Sequence, residues 1–142
     1  MEYLARHDVV GATIVEVFQT YRLMKGWLDS TSTYFRIDSG LTFRMPYIQG
    51  TWRTERIPWR ARRLRFEAEQ NIEGSRITGV YVEPKEGEDW DPSEAIKLLL
   101  EDGRWVTERM VAPHGTGDAG LWVHKAGTFD LSNHLDFWDM RD

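Results

Sequence analysis

The sequence repeats itself at an offset of 63, and this repeat restricts the possible folds more than any other feature. Aligned on itself without gaps from residue 11 to residue 66, the chain has eight identical pairs, three of them aromatic and two of them glycine. These pairs are Gly11/Gly74, Ile14/Ile77, Val17/Val80, Trp27/Trp90, Ser30/Ser93, Gly40/Gly103, Trp59/Trp122 and Phe66/Phe129. Aromatic rings and glycines are hard to match by accident, because their roles depend on packing space and backbone conformation. The repeat therefore predicts an internal duplication, with units at about residues 3–66 and 67–129 and a tail at 130–142.

Each predicted unit contains a hairpin in which apolar and polar residues alternate, as in a half-buried strand. The alternation covers residues 35–45 in the first unit and 96–110 in the second, around turns that end in Gly40 and Gly103. Glycine suits both turns because it adopts positive φ without steric cost. Each unit is therefore predicted to have three strands, since a further β-rich stretch precedes each hairpin, at residues 12–21 and 75–82.

A three-stranded unit with one apolar face is not stable alone in water unless that face is covered. The two units are expected to bury their apolar faces against each other about a pseudo-twofold axis. At 142 residues the chain has the length of one domain, and a domain of this size buries roughly 68% of its unfolded surface. We predict a mainly β single domain over residues 1–142, a small barrel or sandwich with one or two short helices, with an α+β fold as the alternative.

Three segments carry conflicting or additional helical signals. Asp91, Pro92 and Glu94 are typical of a helix start. The repeat instead predicts a strand in this part of the chain. We favour a helical turn at 92–95 followed by a strand at 96–101. Residues 58–69 fit either a helix that begins at Pro58 or an alternating strand. A short C-terminal helix is also predicted, from Leu131, Leu135 and Trp138.

Composition excludes several classes of function. The net charge is −5, with 23 acidic against 18 basic residues, which makes nucleic acid an unlikely partner because phosphate binding needs surplus cations. The chain has no cysteine, which excludes disulfides, thiol nucleophiles and CxxC zinc sites. No stretch has the apolar length of a signal peptide core or a membrane span, so we expect a soluble, cytoplasmic protein with no membrane partner. No cofactor is predicted.

Residues 52–66 interleave aromatic side chains with arginines, while residues 83–102 hold eight acids and two lysines. Arginine favours planar pairing with carboxylates and stacking on rings. The segment could bind an acidic protein surface, contact the acidic segment of its own chain, pair with an identical subunit, or remain a solvated charged face. Single-stranded nucleic acid is a further, less favoured ligand of this segment. The predicted partner-binding residues are Trp52, Arg60, Arg62, Arg63 and Arg65.

The seven tryptophans divide by their place in the repeat. The matched residues Trp27, Trp59, Trp90 and Trp122 are predicted to fill the core, as large rings in a small β domain usually do. The unmatched residues Trp52, Trp105 and Trp138 are the better candidates for a surface.

Residues 113–120 contain three glycines in a GxGxxG pattern, which could bring backbone N–H groups close to an anion. His114 and Asp118 could then act as acid, base or ligand, and they are the only predicted catalytic pair if the protein is an enzyme. Ligand-binding candidates are Gly115, Gly117, Trp105 and Trp122. A plain connection between strands is the alternative, because the segment does not open a helix. No metal site is predicted, since His7, His114, His124 and His134 lack any short ligand spacing.

These observations predict a small interaction or regulatory module that binds a protein partner, with self-association as a homodimer possible and with no catalysis. The alternative is a ligand-binding or enzymatic β fold that uses residues 113–120.

Overall fold

A computed structural model of the chain describes residues 2–24, 27–46, 52–83, 96–109 and 120–139. It contains one short helix and nine strands in these ranges, so the predicted mainly β class is confirmed. The elements are α1 (Arg6–Val9), β1 (Ile14–Met24), β2 (Trp27–Ile37), β3 (Thr42–Arg44), β4 (Arg62–Arg63), β5 (Ile77–Val82), β6 (Ile96–Leu100), β7 (Trp105–Arg109), β8 (Gly120–His124) and β9 (Leu135–Asp136), with 3-10 turns at Ala68–Gln70, Leu131–Asn133 and Phe137–Asp139.

The strands form two antiparallel sheets. The first has the order β3-β2-β1-β4 and is built on the long β1–β2 hairpin, and the second has the order β8-β7-β6-β5-β9. The predicted glycine turns join β2 to β3 and β6 to β7, with φ of 92° at Gly40 and 94° at Gly103. Among the described residues, both sheets are open rather than closed into a barrel.

Strand pairing in the two sheets follows the same register at matched positions of the sequence repeat. Ile14 lies opposite Ile37 in the first sheet, and Ile77 lies opposite Leu100 in the second. A register shift follows at the same place in both pairs, before Glu16 and before Gly79. The third strands agree as well, because Phe35 pairs with Phe43 and Leu98 with Val106.

The two sheets meet at their first strands through reciprocal backbone hydrogen bonds. The Gly11 N–H donates to the Ile77 carbonyl at 2.7 Å, and the Gly74 N–H donates to the Ile14 carbonyl at 2.7 Å. Thr13 and Arg76 form an isolated antiparallel bridge between these bonds. Positive φ at Gly11 (95°) and Gly74 (90°) turns each chain segment into its strand at this junction.

The core is one cluster that takes buried residues from both sheets. Its buried apolar residues include Leu4, Val9, Ile14, Val17, Phe35, Ile37, Phe43, Met45, Trp52, Ile72, Ile77, Val80, Val82, Ile96, Leu98, Leu100, Val106 and Phe137. The 3-10 turn at Phe137–Asp139 adds Phe137 and Trp138 to one end of this core.

Several sequence predictions are corrected. Residues 58–69 form neither a continuous helix nor a full strand, since only Arg62–Arg63 pairs with β1 and Ala68–Gln70 is a 3-10 turn. The C-terminal segment has two 3-10 turns separated by β9 instead of a helix through Trp138. The favoured strand after residue 95 is confirmed as β6, whereas the predicted turn at 92–95 lies outside the described residues.

The predicted division of the tryptophans is wrong at Trp52, Trp59 and Trp122, and Trp138, a predicted surface candidate, is partly buried against the core. Trp59 is 94% exposed and Trp122 is 40% exposed, although the repeat predicts both in the core. Trp52 is only 5% exposed, although it is an unmatched residue predicted at the surface. The side chain of Trp27 and all of Trp90 lie outside the described residues. A match in the repeat therefore does not imply that a ring lies in the core.

Candidate protein-interaction surface

The most exposed large apolar side chain in the described part of the chain is Trp59. It lies at the tip of a turn that the Ala61 N–H closes by donating to the Pro58 carbonyl at 3.0 Å. Trp59 and Arg60 are the two central residues of this turn, and both side chains are exposed. An indole ring exposed in this way leaves a large apolar area in water, and tryptophan is among the residues enriched at the energetic centres of protein interfaces.

Arginines surround this ring in the sequence. Arg56, Arg60, Arg62 and Arg65 are all exposed. Within the described ranges, no acidic side chain forms an ion pair with any of these four. We call the five residues Arg56, Trp59, Arg60, Arg62 and Arg65 the Trp59 surface.

The backbone of the segment is anchored on β1. Arg63 pairs with Phe18 and Arg62 with Gln19 in the ladder, and the Leu64 N–H donates to the Val17 carbonyl at 2.8 Å. Leu64 and Phe66 are partly buried against the core, while Arg62 and Arg65 are exposed. Leu64 and Phe66 therefore hold the end of the segment against the core, while its arginines lie on the solvent side.

Arg63 differs from its basic neighbours because acids of its own chain bind it. Its Nη2 lies 2.9 Å from Glu73 Oε1, its Nε donates to Glu73 Oε2 at 3.1 Å, and its Nη1 lies 3.6 Å from Glu16 Oε2. The hydrogen bond to Glu73 raises the pKa of the Arg63 guanidinium. Arg63 thus attaches β4 to the first sheet. Unlike Arg60, Arg62 and Arg65, it forms ion pairs with described acids of its own chain.

Trp52 is also removed from the predicted surface. Its Nε1 donates to the Arg44 carbonyl at 2.9 Å, and its ring packs edge-on against Phe43 with centroids 5.0 Å apart. Phe137 and Trp138 cover it from the C-terminal segment, at 5.5 Å and 5.9 Å. A partner could reach this residue only if the core opened.

The two predicted ligand-binding tryptophans lie on the outer face of the second sheet. Trp105 stacks on His124 with centroids 3.7 Å apart, and its Nε1 donates to Thr128 Oγ1 at 2.8 Å. Trp122 lies opposite Thr107 in the same β7–β8 ladder. The structure therefore places Trp105 and Trp122 on adjacent strands of one sheet, with Trp105 in a cluster of rings that includes His124 and Phe129.

Lys97 lies beside this cluster, and the sequence analysis does not single it out. Its Nζ donates to Glu83 Oε2 at 3.0 Å, lies 2.6 Å from His134 Nε2 and is 5.5 Å from the centre of the Trp105 ring. His134 Nδ1 lies 2.6 Å from the Asp130 carbonyl, which can only accept, so Nδ1 carries the hydrogen and Nε2 accepts from Lys97. Through its contact with His134, Lys97 holds the C-terminal segment on the sheet.

His114, Gly115, Gly117 and Asp118 lie outside the described residues. The described residues on either side of their segment, Arg109 and Gly120, pair in the ladder between β7 and β8. In the residues that the structure describes, no group of three or more histidine, aspartate and glutamate side chains is placed to hold a metal ion. None of the described helices is long and apolar enough to cross a membrane.

A buried carboxyl is the clearest feature that the sequence analysis missed. Glu108 is 3% exposed, and burial raises its pKa from the ordinary 4.5 to about 7, against the opposing effects of its hydrogen bonds to Thr33 and the charge of Arg44. The signal was present in the strand pattern, because Glu108 is two residues after the inward-facing Val106 and so shares its face.

The chain matches no protein-family model, no curated protein and no solved structure. Its functional interpretation therefore depends on its own sequence and geometry.

Proposed function

We propose that this protein is an interaction module that binds an acidic surface of a protein partner through the Trp59 surface, without catalysing a reaction. The observation that carries the proposal is the 94% exposure of Trp59. The other four residues of the Trp59 surface are exposed arginines, and no acid among the described residues forms an ion pair with them.

Tryptophan and arginine are among the side chains most enriched at positions that dominate binding energy in protein interfaces. Arginine also forms bidentate bonds with carboxylates. A partner that presents an apolar pocket for the ring and carboxylates around it would satisfy both features. The ladder between β4 and β1 and the Arg63–Glu73 pair hold the segment in place before binding, which lowers the entropy lost on association.

We also propose that the chain is an internal duplication whose two units pack as a sandwich about a pseudo-twofold axis. The matching strand registers support this, as do the reciprocal hydrogen bonds of Gly11 and Gly74. In this arrangement the Trp59 surface belongs to the first unit only, because the counterparts of Arg60, Arg62 and Arg65 are Val123, Lys125 and Thr128.

The proposal is tested with a matched pair of variants. Trp59→Ala/Arg62→Ala removes the ring and one exposed arginine of the Trp59 surface. Tyr3→Ala/Arg53→Ala is the control, since it removes an exposed ring and the arginine that lies over it elsewhere on the surface. Each protein is immobilised and exposed to lysate of its own cells, treated with nuclease, and the captured proteins are identified and purified for affinity measurements.

A purified partner with an acidic surface that binds the native chain and the control, and binds the Trp59 variant at least tenfold more weakly, would support the proposal. Equal affinity for all three proteins would overturn it. If the captured partner is a second copy of this chain, native mass spectrometry should show a dimer that the Trp59 variant no longer forms. Binding that is seen in untreated lysate and is lost after nuclease treatment would indicate nucleic acid instead.

A second candidate function is ligand binding on the outer face of the second sheet. It is favoured by the grouping of Trp105, Trp122 and Lys97 on this sheet, where Arg109 and Gly120 bring together the two ends of residues 110–119. Replacement of His114 and Asp118 by alanine should abolish such a function and leave partner binding through Trp59 unchanged.

A further inference from the structure

A series of hydrogen bonds joins polar residues of β1, β2 and β7. The Tyr21 hydroxyl donates to Gln19 Oε1 at 3.0 Å, and Gln19 Nε2 donates to Thr33 Oγ1 at 3.2 Å. The Thr33 backbone N–H then donates to Glu108 Oε2 at 2.8 Å. Since Thr33 lies in the first sheet and Glu108 in the second, the last bond joins the two sheets directly.

The repeat supplies an internal control for this polar group. The positions that the repeat matches to Gln19, Thr33 and Glu108 hold Val82, Ile96 and Met45. The three apolar counterparts are as buried as the polar ones. The pairing is also the same, because Gln19 lies opposite Thr33 and Val82 lies opposite Ile96.

The comparison shows that the fold does not require polar residues at these positions. A buried polar group costs stability unless all its hydrogen bonds are made, and residues that break the local pattern of a fold are often functional. The polar group therefore has a role that the apolar set at the equivalent place does not have.

Few other charges act on Glu108. Within the described residues, the guanidinium of Arg44 is the charged group whose field acts on it, and Tyr34 lies near Arg44 on the neighbouring strand. From β1 the titratable neighbour of the polar group is the Tyr21 hydroxyl, and from β8 the residue opposite Glu108 is Leu121. The carboxyl thus has one nearby cation and a largely apolar environment.

We propose that Gln19, Thr33 and Glu108 form a proton-controlled latch, in which the protonation state of Glu108 sets how readily the two sheets separate at Thr33. When protonated, the carboxyl is neutral and remains in the interior with its bond to the Thr33 N–H. When ionised, it gains free energy by reaching water, so the contact between β7 and β2 opens more often. This inference is independent of the Trp59 surface.

The pKa of about 7 for Glu108 in the closed form supports a response near neutral pH. If the open form has the ordinary pKa of 4.5, proton linkage gives an opening constant that rises about tenfold from pH 6 to pH 8. The latch is therefore closed most firmly in acid and loosens as the pH rises through 7.

Amide hydrogen exchange of the full chain, followed by NMR, tests the proposal at the Thr33 N–H. After correction for the intrinsic exchange rate, its protection factor should fall about tenfold between pH 6 and pH 8. Glu108→Gln keeps an oxygen that can accept the Thr33 N–H and cannot ionise, so its protection factor should not change over this range. The amide of Val80, in the centre of the second sheet, reports global unfolding.

Two results would overturn the latch. One is a pH-dependent fall that persists in the Glu108→Gln protein. The other is equal protection of Thr33 and Val80 at both pH values, because the contact would then open only when the whole domain unfolds. If the variant does not fold, the carboxyl carbon signal of Glu108 in the native chain decides the matter: a midpoint near 7 supports the latch, and one near 4.5 excludes it.

Discussion

Arg63 and Glu73 form a two-point ion pair that fixes the basic segment on the first sheet. The same carboxylate accepts the backbone N–H of Val17 at 3.1 Å, next to the register shift in β1. Glu73 therefore satisfies a backbone donor in the sheet and orients the arginine that holds β4. Glu73 thus supports the Trp59 surface together with the ladder between β4 and β1.

We predict that Glu73→Ala destabilises the domain by about 1–3 kcal/mol, because the N–H of the buried Val17 loses its acceptor. Urea unfolding followed by tryptophan fluorescence measures the change. Glu73→Gln should have a smaller effect, since its amide oxygen can still accept from Val17. Equal losses for the two variants would show that the charge, rather than the acceptor, is what matters.

The turn glycines Gly40 and Gly103 should be equally sensitive to substitution. Both have positive φ, at 92° and 94°, which costs about 1–2 kcal/mol for a residue with a Cβ. Gly40→Ala and Gly103→Ala are each expected to lower the free energy of unfolding by about that amount. Ser39→Ala is the control, because it changes the same turn without adding a Cβ at positive φ. An unchanged stability in either glycine variant would contradict the prediction.

The strands could be predicted from the sequence because their information is local. Alternation and turn glycines identified the two hairpins, and the repeat identified β6 as a strand where the capping pattern before it favoured a helix. Alternation and turn glycines depend on residues a few positions apart, whereas the repeat assigned β6 from the matching strand 63 residues earlier.

The burial of the rings could not be predicted in the same way, because it depends on contacts between distant segments. Trp52 is buried by Phe137 and Trp138, which come from the opposite end of the chain. Trp59 is exposed because it occupies the tip of a turn, although its match in the repeat predicted it in the core. The burial of Glu108 is a different case from that of the two tryptophans. The strand pattern puts Glu108 on the same face as Val106, but an acidic residue is not expected in a core.

Trp52 and Trp59 provide a direct test of this difference in burial. Trp52→Ala should lower the free energy of unfolding by about 3–5 kcal/mol, as removal of a core aromatic ring usually does. Trp59→Ala should change it by less than about 0.5 kcal/mol, since its ring is almost fully exposed in the free protein. Chemical denaturation of both variants measures the effects. A large loss in the Trp59 variant would mean that the ring supports the fold rather than a partner.

The stability of the domain should also depend on pH through Glu108. Its pKa is about 7 in the folded chain and 4.5 is the ordinary value, so the unfolded chain releases this proton first as the pH rises. The contribution of Glu108 is most favourable below pH 4.5, falls as the pH rises towards 7, and stays low above it. The difference corresponds to about 3 kcal/mol as an upper bound.

Glu108→Gln should therefore be more stable than the native chain at pH 8 and about equally stable at pH 4, as measured by urea denaturation at the two pH values. A Gln variant that is less stable at pH 8 would show that the carboxylate, in its ionised form, contributes more through Thr33 and Arg44 than its burial costs.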